Sequence, residues 1–299
     1  MNYRTIIILL IAGVFPYLHA GAEPSKETSN LPSRPNIIFI MADDHAMHGV
    51  GCYGDPRFEN QTPQIDLLAK EGIKFTHAAC TNSLCTPSRA ALITGKYSHL
   101  NGVLTNGHKL DPSKQTFPGL LQKAGYETAI IGKWHLKSKP SGFDYYKILK
   151  AHGHYFNGAF IEKGRKKMVP GVGYLTDDIT NSAINWLEKR NPDKPFCLMI
   201  HHKAPHGPDI HKPEHAKLFD KQTIPHPNNT YDNWETRDVL RNGERSASKL
   251  INIHWTQDIY RNLRASAPKE KDARTHTIYQ QMIKGYLRLV TSLDENIGR

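Results

Sequence analysis

Three short apolar runs, each ending in a cluster of polar and charged residues, constrain this chain most. Asn36-Ile37-Ile38-Phe39-Ile40-Met41-Ala42 is followed at once by Asp43-Asp44. Glu127 to Ile131 is followed by Gly132-Lys133-Trp134-His135, and Phe196-Cys197-Leu198-Met199-Ile200 by His201-His202-Lys203-Ala204-Pro205-His206. An unbroken apolar run of this length reads as a strand covered on both faces, so the first is expected to be a central parallel strand. Helical patterns lie between the runs, at Thr62 to Gly72, Thr116 to Ala124 before Gly125, and Asp177 to Arg190, and after the last of them, at Tyr279 to Ile297. Strands alternating with helices predict an α/β sandwich whose site gathers along one edge of the sheet, where the strands end.

Cys85-Thr86-Pro87-Ser88-Arg89-Ala90-Ala91-Leu92-Ile93-Thr94-Gly95 reads as a short helix with Thr86 as its cap, Pro87 at the first helical position and Gly95 at its end. A short strand is expected just before it, from Phe75 to Ala79. A helix start presents unpaired N–H groups and a field that favours anions, which places Cys85 where an anionic group could be received.

The charge is +11 with histidine neutral. It is unevenly spread, since Lys133 to Lys167 holds nine Lys or Arg against Asp144 and Glu162. Such a field steers polyanions, and without a zinc-finger, RNP or helix-turn-helix signature a sulfated polysaccharide fits an exported protein better than nucleic acid, while a solvated basic surface is the commoner explanation of a lysine run. Export is expected from Arg4, the apolar run Ile6 to Phe15, and Ala20-Gly21-Ala22. That run is too short to span a bilayer and reads as a cleavable signal peptide over residues 1–22, with no stable membrane anchor and a periplasmic or secreted destination. The remainder, 23–299, is long enough for one large core or a core with a small satellite. Four cysteines, Cys52, Cys80, Cys85 and Cys197, make no disulfide framework. Residues Gly207 to about Lys271 carry a weak pattern and are expected to hold short elements or to wrap a cleft.

Asp43 and Asp44 are the clearest metal candidates: adjacent carboxylates repel unless a cation or a basic residue compensates, and oxygen ligands suit Ca²⁺, with Mg²⁺ second; helix capping or a turn after the strand is the structural alternative. A zinc site in the His201–His206 cluster lacks organised Cys or carboxylate partners. The Cys-x-Pro-Ser-Arg pattern with Ala-x-x-x-Thr-Gly resembles the signature of the type I sulfatases, of alkaline-phosphatase-like fold. Gly125 to His135 resembles their second signature, and Lys203-Ala204-Pro205-His206-Gly207-Pro208 a third segment. The resemblance runs from Pro35 to Arg299. It implies a mostly parallel mixed sheet flanked by helices, and oxidation of Cys85 to formylglycine by a maturing enzyme.

By that resemblance the hydrated formylglycine attacks sulfur and also ligates the divalent ion, together with Asp43 and Asp44. Arg89 would hold the formylglycine hydroxyl, and His135 would hydrogen-bond the hydrated aldehyde. Lys133 would bind a sulfate oxygen, while His206 would contact sulfate and protonate the leaving oxygen. His202 and Lys203 would line the substrate pocket, with His201 beside them. The Asp294-Glu295-Asn296-Ile297-Gly298 helix, the Tyr231-Asp232-Asn233 region and the basic segment resemble bacterial N-acetylglucosamine-6-sulfatases acting on glycosaminoglycan or mucin sugars. The family's remaining Asp and Asn ligands are expected after Arg299, so the isolated 299-residue chain is expected to be inactive or poorly folded. A phosphonate or phosphodiester hydrolase of the same superfamily, and a polyanion-binding protein without catalysis, are the alternatives.

Overall fold

The computed structural model describes residues 34–230 and 268–299. The N-terminal segment expected to be a signal peptide, the Tyr231-Asp232-Asn233 region and most of the expected Gly207–Lys271 stretch lie outside these residues. The described chain forms two compact units, one from the residues up to Asp43 with Lys74–Lys203, the other from Asp44–Ile73 and the chain after Lys203.

The first unit is built on a sheet of β1 (Ile37–Asp43), β2 (Glu127–Gly132), β3 (Tyr145–Leu149), β4 (Ala159–Glu162), β5 (Val169–Pro170) and β6 (Phe196–Pro205), in the order β1-β6-β2-β3-β4-β5. β2 runs parallel to both β6 and β3, whereas β3-β4 and β4-β5 are antiparallel. The sheet is therefore mixed, and its parallel strands deliver their C-terminal ends to a common edge. Helices α2 (Cys85–Thr94), α3 (Ser98–Asn101), α4 (Phe117–Lys123) and α5 (Leu175–Lys189) accompany it. Ala90 and Ile93 of α2 join Ile130, Tyr146, Ile148, Cys197 and Met199 in one buried cluster, against which Phe117 and Leu121 of α4 pack. On α5, Trp186 meets Phe196 edge-on at 5.8 Å between ring centroids. Thr116 caps α4 by accepting from the Gly119 N–H, and Gly125 turns the chain into β2 at φ 87°.

Gly132 ends β2 because nothing larger fits: its φ is 105°, and a Cβ there would lie 2.0 Å from the His201 carbonyl oxygen. That close approach lets the Lys133 N–H donate to the same carbonyl at 2.7 Å, so the glycine sets where the next side chain starts.

Several expectations change. β1 lies at the edge of the sheet among the described residues, and Ile37 to Ala42 are only half-buried; an apolar run reports what a strand is suited to, not which neighbours pair with it. β6 does not stop at Ile200. It continues through His201, His202 and Lys203 to Pro205 and is buried along its whole length. His201 Nε2 and His202 Nδ1 have no hydrogen-bond partner there among the described residues, and burial keeps both imidazoles in the neutral form, which costs less to bury than a cation. Phe75 to Ala79 is an exposed loop, not a strand. Leu84, not Thr86, is the N-cap of α2. The Ser88 N–H donates to the Leu84 carbonyl at 2.9 Å, and the Thr86 N–H is taken by Asn106 Oδ1 at 3.0 Å. Cys85 thereby becomes the first helical residue, and Pro87 still falls in the first turn, where a missing N–H costs little. The basic segment contains β3, β4 and β5 rather than a uniform charged face: Lys133 is buried, and Lys147 pairs with Asp178 at 3.1 Å. None of the four cysteines forms a disulfide.

The second unit holds α1 (Pro63–Glu71) and α6 (Lys271–Gly298), the latter longer than its apolar spacing indicates. Phe58, Ile224 and Leu287 form its small core, with Ile283 and Tyr286 packed against it. Thr62 precedes α1 without capping it; its hydroxyl accepts from the Gly51 N–H at 2.8 Å. Asp294 of α6 does the capping instead, accepting from the N–H groups of Gln64 at 3.1 Å and Ile65 at 2.9 Å.

Candidate active site

In the first unit, five segments separated along the chain place charged side chains at one end of the sheet. Asp43 is the last residue of β1, Arg89 lies on α2, Lys133 follows β2, His152 follows β3, and His201 lies in β6. Asp43, Arg89, Lys133 and His201 are each buried. Arg89 Nη2 donates to Asp43 Oδ1 at 3.1 Å, and Lys133 Nζ contacts Asp43 Oδ2. Arg89 Nη1 donates to the Lys133 carbonyl at 2.6 Å and lies 3.1 Å from His201 Nδ1. The arginine fork thus ties the strand-end carboxylate to the backbone of the strand that carries the lysine. Cysteine Sγ of Cys85 and a carboxylate oxygen of Asp43 lie within 4.8 Å of each other.

The electrostatics follow from this packing. Burial pushes the Asp43 carboxyl up, and the Arg89 and Lys133 cations more than reverse that, leaving it below the ordinary carboxylate range. Burial drives His201 down to about 3, with the Arg89 charge acting in the same direction, so it is neutral at physiological pH. One carboxylate and two cations leave a net positive charge in a water-poor place. Such a place receives anions, and it acts on them with fields that bulk water would quench.

His135 follows Lys133 with φ 56°, and its Nδ1 lies 3.4 Å from Thr86 Oγ1. Its ring meets that of His152 at 4.2 Å between centroids. His202 and Lys203 are buried inside β6 with other neighbours: burial lowers His202 to about 4, against the pull of the Asp177 carboxylate, and the Lys203 ammonium sits 5.2 Å over the Tyr155 ring. In the second unit, His206 Nε2 lies 3.6 Å from Asp44 Oδ2, and its Nδ1 is 2.7 Å from the Gly207 carbonyl. Asp44 is exposed and takes a left-handed φ of 62°.

His152 and the bonding of His201 are what sequence reasoning misses. The signal for His152 is the same one that marks the other sites. Tyr146 and Ile148 alternate into the core along β3, and the polar run Lys150-Ala151-His152-Gly153-His154 follows directly. The lysines of that stretch read as a charged surface and hide the strand.

Residues 35–299 match the family model described as Sulfatase. The chain is 38% identical to the N-acetylglucosamine-6-O-sulfatase of Bacteroides thetaiotaomicron over 94% of this chain and 56% of that protein. It is 32% identical to a Ulvan-active sulfatase of Formosa agariphila over 73% of this chain and 42% of the relative. Among solved structures, it is similar to BT4656 in complex with its substrate D-glucosamine-2-N,6-O-disulfate, with a TM-score of 0.76 and 37% identity, over 89% of this chain and 61% of that one. The chain spans about half the length of the curated relatives it matches. With the strand-end charges, the helix-mouth cysteine and these similarities together, the chain belongs to the sulfatase family.

Proposed function

We propose that the protein carrying this chain hydrolyses sulfate esters on sulfated glycans, with 6-sulfated N-acetylglucosamine of glycosaminoglycan or mucin as the substrate class. The observation that carries the reading is Cys85 as the first residue of α2, its sulfur within 4.8 Å of a carboxylate whose other neighbours are two buried cations. The name of the Bacteroides thetaiotaomicron relative and that of the substrate held by BT4656 support the glucosamine class.

The sulfatase family uses formylglycine and a divalent cation. The residues present suit both. Asp43 is held ionised by its neighbours, Asp44 follows it directly, and a pair of carboxylates matches the oxygen preference of Ca²⁺, with Mg²⁺ second. Formylglycine made from Cys85 by a maturing enzyme would supply the attacking hydroxyl, and the cation would lower the cost of its negative charge.

The other roles belong to side chains of the chain itself. Arg89 fixes Asp43 through a charge-assisted hydrogen bond while anchoring itself on the Lys133 carbonyl, so the carboxylate and the lysine are positioned by one group. Lys133 brings a buried ammonium to a sulfate oxygen and balances charge as the ester bond breaks. His135 orients the nucleophile. His206, beside the Asp44 carboxylate in its own unit, gives its proton to the departing sugar oxygen. The apolar N-terminal segment would direct the protein to the periplasm or outside the cell.

The test is sulfate release from 6-sulfated N-acetylglucosamine by the full-length, matured protein. The expected result is turnover that disappears in Cys85→Ala with the melting temperature nearly unchanged, and that is lost on chelation and restored by Ca²⁺. Turnover retained by Cys85→Ala, or activity confined to 2-O-sulfated uronic acids, would overturn the proposal.

A further inference from the structure

The Lys133 ammonium has three N–H donors and no acceptor. One is directed at Asp43 Oδ2, and a second at His152 Nδ1, 2.9 Å away. Since the ammonium can only donate, His152 Nδ1 must present its lone pair, and the ring carries its proton on Nε2. A protonated ring would instead set an N–H of one cation against that of another. Two pinned donors on a tetrahedral nitrogen fix the direction of the third.

The backbone around His152 shows how the ring is held. β3 runs parallel to β2, so the chain leaves Leu149 at the same sheet edge where Lys133 leaves Gly132. It turns back through Ala151 at φ 53° and Gly153 at φ 68°, with the Gly153 N–H donating to the Lys150 carbonyl at 3.1 Å. Two left-handed residues flanking one histidine make a tight return that any longer or straighter connection would lose. The ring then lies against His135, 4.2 Å between centroids.

We propose that His152 is a positioning residue for sulfate-ester hydrolysis: by accepting from Lys133 Nζ and packing on His135, it keeps the lysine from turning wholly onto Asp43 and aims the remaining N–H at a sulfate oxygen. The inference rests on the sulfatase reading of the same site. Without His152, the buried ammonium has only the Asp43 carboxylate to follow, and its third donor loses its direction. Misplacement of a charged group by about 1 Å costs on the order of 100-fold in rate.

The full-length, matured protein tests this with three variants and one spectroscopic readout. His152→Leu removes the acceptor and is expected to lower kcat/KM on 6-sulfated N-acetylglucosamine by about 10- to 100-fold. His152→Asn places an amide oxygen near the position of Nδ1 and is expected to recover most of that loss, which a packing role would not explain. In a Lys133→Met background, His152→Leu should cause no further loss, because the two residues act as one unit. In the wild-type protein, the ¹⁵N spectrum should show His152 Nδ1 without a proton and Nε2 with one.

Activity of His152→Leu within twofold of wild type would overturn the proposal, as would equal losses in the Leu and Asn variants or a further loss in the Lys133→Met background. A proton on Nδ1 would overturn it independently of any assay. If the wild-type protein released no sulfate at all, the sulfatase reading would fail, and the nitrogen spectrum alone would decide the Lys133–His152 contact.

Discussion

The two ends of the central strands carry similar residue types and treat them in opposite ways. At the C-terminal end, Asp43 is buried against Arg89 and Lys133, with His201 and His152 completing the contacts. At the N-terminal end, a shallow cleft is lined by Gln122, Glu127, Asp144, Asn191 and Lys194. Asp144 there accepts from Gln122 Nε2 at 2.6 Å and from the N–H and hydroxyl of Thr128 at 2.9 and 3.0 Å. Burial raises its carboxyl, and the Thr128 and Gln122 hydrogen bonds then bring it below its ordinary value. One carboxylate is held by charges and the other by neutral donors within reach of water. The exposed end stitches α4 and β3 to β2, whereas the buried end sets one carboxylate against two cations.

The contrast is most open to attack at Asp43. Replacing Asp43 by Ala leaves two buried cations facing each other, and the expected cost is about 3–5 kcal/mol in urea unfolding under chelating conditions. A loss below about 1 kcal/mol would mean that the pair is solvated and that the two ends do not differ in kind.

Acidification sharpens the comparison next. His201 and His202 are held down to about 3 and about 4 by burial, against an ordinary value of 6.5. Between about pH 6.5 and pH 4 the unfolded chain therefore binds protons that the folded chain refuses, so stability falls as pH falls through that window. Each histidine is expected to remove about 2 kcal/mol by pH 5, at a slope near 1.4 kcal/mol per pH unit. Unfolding free energies at pH 7 and pH 5 check this, and His202→Gln should flatten part of the slope. Equal stabilities at the two pH values would refute it.

The smallest effect belongs to the exposed end. Asp144→Ala removes three hydrogen bonds that water partly replaces, and is expected to cost about 1 kcal/mol with no change in turnover. A cost as large as that of Asp43→Ala would erase the distinction between the ends.

Most of the fold was legible in local patterns. The apolar runs of β1, β2 and β6 and the helical spacing of α4 and α5 each depend on neighbours a few residues away, and each element formed within a residue or two of its expected start. The short strands β3, β4 and β5 were not legible, because lysines on a half-covered edge resemble a charged loop. The candidate site divided in the same way. Cys85, Arg89, Lys133 and His135 stand in recognisable motifs, whereas His152 has only the strand-then-polar pattern after β3, and its contacts with Lys133 and His135 emerge with the fold.

By itself the sequence determined the apolar strands β1, β2 and β6 with the helices between them, the helix-mouth cysteine, and the motifs that mark the sulfatase family. Periodicity, turn chemistry and motif spacing are short-range properties written along the chain. Only the tertiary structure decided that Asp43 is clasped by Arg89 and Lys133, that β6 carries its histidines into the core, that Asp294 caps a distant helix, and that β1 stands at a sheet edge among the described residues. Each of these depends on which groups meet after burial, and the free energy of a charge or an unpaired N–H is set by those partners rather than by its neighbours in sequence.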